Sequence, residues 1–412
     1  SVLHRRMSAS RHPAVILSLG AVLRVASAIA SFPTPPHSGY HLSGRASGFE
    51  GWYHRLTVDD ASLSFIYSIF DAADETSPRH GCHMQMCGPD GAVTWQEGPA
   101  ASFWADNRKL ALGKSFRGVA FSKMASPAAF GRFVQDGFQL SSTRHQGVLR
   151  DGSARWSYEV APQVGWGGRL GDKQYSTAGW LAAFPVFEPM YQVVMAHGLA
   201  SGWVEWRGER REFRDAPCYT EKNWGGAFPR RWWWVQCNAF EARGLTLTCA
   251  CGERSNPLLE PLLPGRTEDA CMVALHDESG KFYPFPNCEW DVEWGRWTVR
   301  GALDDLRVRV EATCDGEAAS VVRCPASDGM TASARERFDG SLSVRVWRVT
   351  AREEEEEVLI DSTSSRAAVE VGGEGWEGGG RWKGSCEVAG AARAILSADV
   401  PLERFREAIP GL

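Results

Sequence analysis

Short stretches rich in β-branched and aromatic residues recur along most of the 412-residue chain. Several of them alternate polar with apolar positions, as in "LRVRVEAT" (306–313) and "SLSVRVWRVT" (341–350). A period of two is typical of strands with one buried face, and the glycine, proline, aspartate and asparagine residues between the stretches favour turns. The pattern predicts an all-β protein whose antiparallel strands form barrels or sandwiches.

The chain is long enough for two domains, each with its own core. A weak change of composition near residue 250 predicts two β domains, at residues 34–250 and 251–412. Helical periodicity is limited to one candidate, "LERFREAI" (402–409), so we expect few short helices. No stretch approaches the eighteen consecutive apolar residues that are typical of a transmembrane helix.

The first 49 residues contain no aspartate or glutamate. They do contain repeated serines and five arginines: Arg5, Arg6, Arg11, Arg24 and Arg45. This composition is typical of an organelle transit peptide, and we predict that residues 1–33 form such a targeting segment. A secretory signal is the alternative, but the odd number of cysteines argues against an oxidising compartment.

The eleven cysteines include no C-x-x-C pair and no cluster with histidines at zinc spacing. We therefore predict free thiols, most of them buried as small apolar side chains, and no metal site. A formal net charge of -5 provides no overall basic field for binding phosphates. Nucleic acid is accordingly not an expected partner.

Four of the eighteen tryptophans lie in "TEKNWGGAFPRRWWWVQCNAF" (220–240), beside a Glu-Lys pair. A pocket for a large apolar ligand needs aromatic walls and a few placed polar groups; a packed β core is the alternative. On a strand, Trp232 and Trp234 share one face and Trp233 takes the other, so the triplet cannot line a single pocket. Glu221 and Lys222 would likewise face opposite sides, and an exposed charged pair in a turn is their alternative.

A second aromatic concentration, "FEGWYHRL" (49–56), places Glu50 beside Trp52 and Tyr53. A glutamate in such a context is commonly a surface carboxylate at the edge of a strand. No serine-hydrolase elbow, phosphate-binding loop or dinucleotide fingerprint is evident, which disfavours those classes of enzyme.

Several of these stretches closely resemble the tocopherol cyclases of plants and cyanobacteria. The similarity is carried by "FEGWYHRL" (49–56), "SFIYSIFD" (64–71), residues 176–241 and "SSRAAVEVGG" (364–373), and it extends with gaps from residue 34 to the end. "YTEKNWGG" (219–226) is also distantly similar to carotenoid 1,2-hydratases, which are two-domain lipocalin-like proteins. The resemblance therefore implies two lipocalin-like β domains.

The family resemblance implies an isomerase-type ring closure of vitamin E biosynthesis that needs no cofactor. The substrate is a prenylated hydroquinol with a methylated ring and a phytyl tail, and the product is the chromanol of a tocopherol. Family members are found in plastids and associate with plastoglobules, the plastid lipid globules. A lipid-globule or membrane surface is therefore an expected partner.

The chemistry requires an acid that protonates an alkene and a phenol that attacks the resulting tertiary carbon. Aromatic faces stabilise the cation and exclude water, and burial keeps a carboxyl protonated. Within the resemblance, Glu221 and Asp215 are the predicted proton donors. Lys222 is expected to orient or deprotonate the phenol, and Asn223 to hydrogen-bond its oxygen. The predicted substrate-binding residues are Glu50, Trp52, Tyr53, Trp180, Tyr219, Trp224, Trp232 and Trp234.

Two other functions fit the same aromatic cavity. A carrier of prenyl lipids in plastid globules would bind the substrate without using an acid. An isoprenoid hydratase would use the acid but admit water in place of the internal phenol. Replacing Glu221 separates the carrier from the enzymes, and the identity of the product separates the cyclase from the hydratase.

Overall fold

The computed structural model describes residues 35–45, 47–149, 152–178, 188–255, 265, 267–349 and 356–387. The predicted targeting segment, the candidate helix at 402–409 and Trp180 lie outside these residues. Within them the chain forms twenty-two strands and one short helix. The all-β prediction is confirmed, and every strand pairing between the named strands is antiparallel.

The first sheet contains eleven strands in the order β4-β3-β2-β1-β11-β10-β9-β8-β7-β6-β5. Their bounds are β1 (Phe49–Val58), β2 (Ala61–Phe70), β3 (Gly81–Cys87), β4 (Val93–Gly98), β5 (Phe103–Ala105), β6 (Ala111–Gly118), β7 (Val134–Ser141), β8 (Arg144–Val148), β9 (Ala154–Val164), β10 (Met190–Trp206) and β11 (Glu209–Gly225). Helix α1 (Pro127–Phe133) lies between β6 and β7, and the Ser126 hydroxyl caps it by accepting the Ala129 N–H. A serine at this position satisfies one of the unpaired N–H groups of the first turn.

The second sheet has the order β15-β14-β13-β12-β21-β20-β18-β17-β16-β22, with β19 paired to β20 beside this path. Its strands are β12 (Arg231–Cys237), β13 (Thr246–Ser255), β14 (Thr267–His276), β15 (Phe282–Phe285), β16 (Asn287–Glu293), β17 (Arg296–Leu303), β18 (Leu306–Thr313), β19 (Ser320–Ala326), β20 (Gly329–Val349), β21 (Glu356–Gly373) and β22 (Arg381–Cys386). The two sheets therefore follow one another along the chain.

Each sheet must curl on itself, because strands near its opposite edges are consecutive in sequence. In a flat first sheet, β4 and β5 would lie about 48 Å apart, at roughly 4.8 Å per strand. The four residues between them can span at most about 18 Å. In the second sheet only Pro286 separates the edge strand β15 from β16, which is next to the other edge. Both sheets therefore have the barrel-like curvature that was predicted.

Strand alternation assigns the side chains of β12 to two different environments. Trp233, Val235 and Cys237 belong to the apolar core inside the second sheet. Trp232 and Trp234 point the other way and pack in clusters that include residues of the first sheet. The prediction that the tryptophan triplet is divided between two faces is confirmed.

The change of sheet occurs between Gly225 and Arg231, earlier than the domain boundary expected near residue 250. Residue 250 lies in the middle of β13, which pairs with β12 as a hairpin. The turn is marked by a glycine, because Gly225 has a φ of 154°, a backbone conformation that other residues rarely adopt.

All eleven cysteines are free, and eight of them are buried, as predicted for thiols that act as small apolar side chains. No helix in the described part of the chain is long and apolar enough to cross a membrane. Among the same residues, no group of three or more histidine, cysteine, aspartate or glutamate side chains is arranged to hold a metal ion.

Candidate active site

Glu221 lies near the end of β11, on the face that looks towards the second sheet. Its strand neighbours are Tyr53 of β1 on one side and Val193 of β10 on the other. Side chains two residues apart on a strand share a face, so Tyr219 points in the same direction. Only 7% of Glu221 is exposed to solvent.

The Glu221 carboxylate is surrounded by aromatic side chains. The Tyr219 hydroxyl donates a hydrogen bond to Oε2 at 2.5 Å, and the Tyr191 hydroxyl donates to the same oxygen. The Trp234 ring packs against the rings of Tyr53 and Tyr219, with centroids 5.4 and 6.1 Å away. Burial raises the pKa of Glu221 to about 7, although both tyrosine hydrogen bonds act in the opposite direction. Near neutral pH this group can therefore be a proton donor.

The second sheet contributes two more carboxyl groups to the same interface. Glu336 of β20 and Glu370 of β21 are direct cross-strand partners, and Glu370 is also the partner of Trp234 on β12. The Tyr53 hydroxyl donates to Glu336 Oε1 at 2.5 Å, and Trp232 Nε1–H donates to Glu370 Oε1 at 2.5 Å. A hydrogen bond from the first sheet thus reaches a carboxyl of the second.

The three carboxyl groups resist simultaneous ionisation. Burial raises the pKa of Glu336 well above its ordinary value, and repulsion from Glu370 adds to the shift. Burial also raises the pKa of Glu370 to about 7, opposed by the Trp232 hydrogen bond and reinforced by repulsion from Glu221. Like charges in a buried site are unfavourable, so protons are retained and shared among the three groups.

Arg55 brings a positive charge to this interface. Its Nη1 donates to Gln236 Oε1 at 2.8 Å, and its Nη2 donates to Ser62 Oγ at 3.1 Å and to the Arg366 carbonyl. Only 1% of Arg55 is exposed. Its charge acts to lower the pKa of Glu336, but burial and repulsion from Glu370 have the larger, opposite effect.

The members of this site differ in their exposure to solvent. Glu336 and Tyr219 are fully buried, whereas Tyr53, Tyr191 and Glu370 remain partly exposed. A ring that enters beside these three side chains would meet hydroxyl and carboxyl groups together with the Trp234 face. We refer below to Glu221, Glu336 and Glu370 as the carboxyl cluster.

Residues 45–373 match the model of a family described as tocopherol cyclase-like. The chain belongs to this family. It is 36% identical to the Zea mays protein "Tocopherol cyclase, chloroplastic", over 90% of this chain and 85% of that protein. It is 35% identical to the Oryza sativa subsp. japonica protein "Probable tocopherol cyclase, chloroplastic", over 90% and 86% of the two chains.

Among solved structures, kievitone hydratase from Nectria haematococca aligns over 85% of this chain and 94% of its own length. The TM-score is 0.42 and the identity 10%. This similarity is too weak to support an inference about function.

The structure separates Lys222 and Glu50 from Glu221, because they lie on the opposite face of β11 and β1. Lys222 Nζ forms an ion pair with Glu50 Oε1 and donates to the Gly39 carbonyl at 2.5 Å. Trp52 and Trp224 flank the ammonium, with ring centroids 5.5 and 5.0 Å away. These four predicted site residues therefore form a group inside the first sheet, away from the carboxyl cluster.

Asp215 lacks the burial that a neutral-pH proton donor requires. It is exposed, lies at an irregular position of the β10–β11 pairing with φ of 53°, and is six residues from Glu221. Six residues of a strand correspond to about 20 Å. Of the two predicted donors, only Glu221 has the required environment. Asn223 is half-buried on the Glu221 face, next to Tyr191 in the strand register.

Sequence reasoning missed Glu336, Glu370 and Tyr191. Glu336 lies in "ARERFDG", where alternating charges are typical of an exposed strand. Glu370 carried a usable signal, since it is the only charged residue in the apolar run "AAVEVGG". A lone carboxyl between two core valines, Val369 and Val371, points to a buried face opposite the core.

Proposed function

We propose that this chain is a tocopherol cyclase that closes a prenylated hydroquinol to a chromanol. The observation that carries the proposal is Glu221, a buried carboxyl with a pKa near 7 that is enclosed by tyrosine and tryptophan side chains. The identity of 36% to a tocopherol cyclase over most of both chains supports the same conclusion.

In the proposed reaction, the Glu221 carboxyl transfers its proton to the CH carbon of the trisubstituted alkene. The π bond breaks, a C–H bond forms and positive charge develops on the tertiary carbon. The neighbouring phenol oxygen attacks that carbon and loses its own proton, so the substrate is isomerised without any redox change. The faces of Trp234, Tyr53 and Tyr219 stabilise the cationic carbon and keep water away from it.

The carboxyl cluster favours an enzyme over a carrier. Burying several carboxyl groups costs free energy, because each loses its hydration. A carrier of an apolar lipid would bind more tightly with apolar side chains at these positions. Retaining acids in an aromatic interface is instead what alkene protonation requires.

The test is incubation of the purified protein with a reduced methyl-phytyl-benzoquinol in detergent, followed by chromatography of the product. Wild type and the control Asp215→Asn, an exposed carboxylate on the same strand, should form chromanol at similar rates. Glu221→Gln should lower kcat by about 10²-fold or more, because general acid catalysis is lost.

Other outcomes identify the rivals. Tight binding of the quinol by all three proteins with no product would indicate a carrier. A tertiary alcohol in place of the chromanol would indicate a hydratase. An unchanged rate for Glu221→Gln would rule out Glu221 as the donor, even if chromanol forms.

We also propose a plastid location, with association to plastoglobules. The relatives named chloroplastic and the acid-free composition of residues 1–33 support the plastid. The lipid substrate favours contact with a lipid surface. Import into isolated plastids with cleavage near residue 33, followed by flotation of the product with plastoglobules, tests both parts.

A further inference from the structure

We propose that Glu336 and Glu370 together accept the proton that the phenol loses during ring closure. The carboxyl cluster would then supply the proton at one end, through Glu221, and recover it at the other. This inference rests on the proposed cyclase activity and assigns a catalytic role to two residues of the second sheet.

The first support is geometric. Glu336 and Glu370 are direct partners on adjacent antiparallel strands, which brings their Cβ atoms to about 5 Å from each other. Tyr53 connects them to the donor, because it is the strand partner of Glu221 and its hydroxyl donates to Glu336. The acid and the pair therefore face one another across the interface of the two sheets.

The second support is an oxygen that has no partner. Glu336 is 0% exposed, yet its Oε2 forms no hydrogen bond while Oε1 accepts from Tyr53. Buried carboxylate oxygens are normally satisfied, because leaving one without a donor costs about 1–3 kcal/mol or more. A phenol O–H of the substrate is a donor of the right type, and it is the bond that must break in this reaction.

The third support is charge. The positive charge of Arg55 acts to lower the pKa of Glu336, against the larger effect of burial, and Glu370 has a pKa of about 7. The other titratable groups that interact with the pair are the donor Glu221, Tyr53, Cys87 and Cys324. Burial raises the pKa of Tyr53 and of the two cysteines well above the ordinary values. Tyr53 and the two cysteines are neutral near pH 7, and Glu370 is the member of the pair that is partly ionised there and can take a proton.

The proton balance closes within the cluster. Glu221 loses one proton to the alkene carbon, and the Glu336–Glu370 pair gains one from the phenol oxygen as the C–O bond forms. The product carries no net change in protons. Transfer from the pair back to Glu221, directly or through water, restores the starting state. No oxidant, reductant or cofactor enters the balance.

The experiment compares two hydroquinols with different phenol acidities. One is the methyl-phytyl-benzoquinol, and the other is a ring-chlorinated analogue whose more acidic phenol has less need of a base. Glu336→Gln/Glu370→Gln is measured beside wild type, Glu221→Gln and Glu377→Gln. Glu377 is an exposed carboxylate after β21 and serves as the matched control.

With the ordinary substrate, the double variant should lose about 10²-fold in kcat with little change in KM. With the chlorinated substrate, the loss of kcat in the double variant relative to wild type should be at least tenfold smaller. The loss of kcat in Glu221→Gln should be as large as with the ordinary substrate. In the double variant, the acidic limb of the pH profile of kcat/KM should also disappear. A purely structural role would affect both substrates equally.

The inference is overturned if the double variant keeps the wild-type rate, or if its loss is the same for both substrates. If wild type makes no chromanol from either hydroquinol, the proposed function fails first and this inference with it. Thermal unfolding and near-UV circular dichroism verify the fold of each variant. Should the double variant not fold, Glu336→Gln and Glu370→Gln are compared singly by the same substrate ratio, each with a smaller expected loss.

Discussion

The two faces of β11 accommodate buried charge in opposite ways. On the inner face of the first sheet, Lys222 is paired with Glu50, and both side chains are fully buried. On the outer face, the adjacent Glu221 meets two more carboxyl groups, Glu336 and Glu370. The first arrangement neutralises charge with a partner of opposite sign, whereas the second does so by holding protons.

The difference shows which buried charges can do chemistry. In a buried ion pair each charge compensates the other, so removing either member leaves a buried charge without a partner. Carboxyls such as Glu221 and Glu370, with pKa values of about 7, can gain or lose a proton at little cost near neutral pH. We therefore propose that one face of β11 is structural and the other reactive, and the following predictions test that division.

The largest expected effect is on the structural face. Lys222→Met should lower the free energy of unfolding by about 3–5 kcal/mol, because Glu50 remains buried without its cation. Urea unfolding measures the loss. Adding Glu50→Gln should recover most of it, and a double variant as unstable as the single one would contradict the ion-pair explanation.

On the face that carries Glu221, a single substitution should lower the rate of turnover but leave the free energy of unfolding nearly unchanged. Glu221→Gln removes a group whose charged form is disfavoured by burial, so its free energy of unfolding should stay within about 1 kcal/mol of wild type or increase. Its barrier to turnover should rise by about 2.7 kcal/mol or more, the equivalent of 10²-fold. Urea unfolding at pH 7 beside the product assay checks both; a large loss of stability would assign Glu221 a structural role.

The pH dependence of stability should come from the carboxyl cluster. The pKa of Glu221 is about 7 in the folded protein and near 4.5 when unfolded, so between these values the folded state binds more protons. The free energy of unfolding is then not reduced by this group below pH 4.5. It falls as pH rises towards 7, by up to about 1.4 kcal/mol per pH unit for this group.

Urea unfolding at pH 5, 6 and 7 should therefore show a slope that Glu221→Gln/Glu370→Gln makes shallower. Equal slopes in wild type and the cluster variant would contradict the raised pKa values.

The smallest expected effect is a shift in the pKa of Glu221. Tyr219→Phe removes a hydrogen bond that stabilises the ionised form of Glu221, so the pKa of Glu221 should rise by about 0.5–1 unit. The basic limb of the kcat/KM profile should move to higher pH by that amount. A shift to lower pH would show that the hydroxyl favours the protonated form instead.

Local patterns were sufficient to predict the strands and the opposite orientations of Glu221 and Lys222. Alternation within one strand determines both, and it is visible in the sequence without knowledge of any partner. The blocks that carry the family resemblance also pointed to the region of Glu221, since that similarity is densest at residues 176–241.

The composition of the carboxyl cluster could not be predicted in the same way. Glu336 and Glu370 are more than one hundred residues from Glu221, and only the packing of one curled sheet against the other brings them together. The exposure of Asp215 depends on an irregular strand register, which a single sequence does not encode in any simple pattern.

Because both sheets contribute to the burial of Glu221, its raised pKa depends on strands that are synthesised after β11. When the ribosome has completed β11, the second sheet does not yet exist, and Glu221 lacks the cover that β12, β20 and β21 provide. Acid strength near neutral pH arises only when β12, β20 and β21 dock onto the face that carries Glu221. A chain that ends before β21 therefore lacks part of the second sheet that covers Glu221.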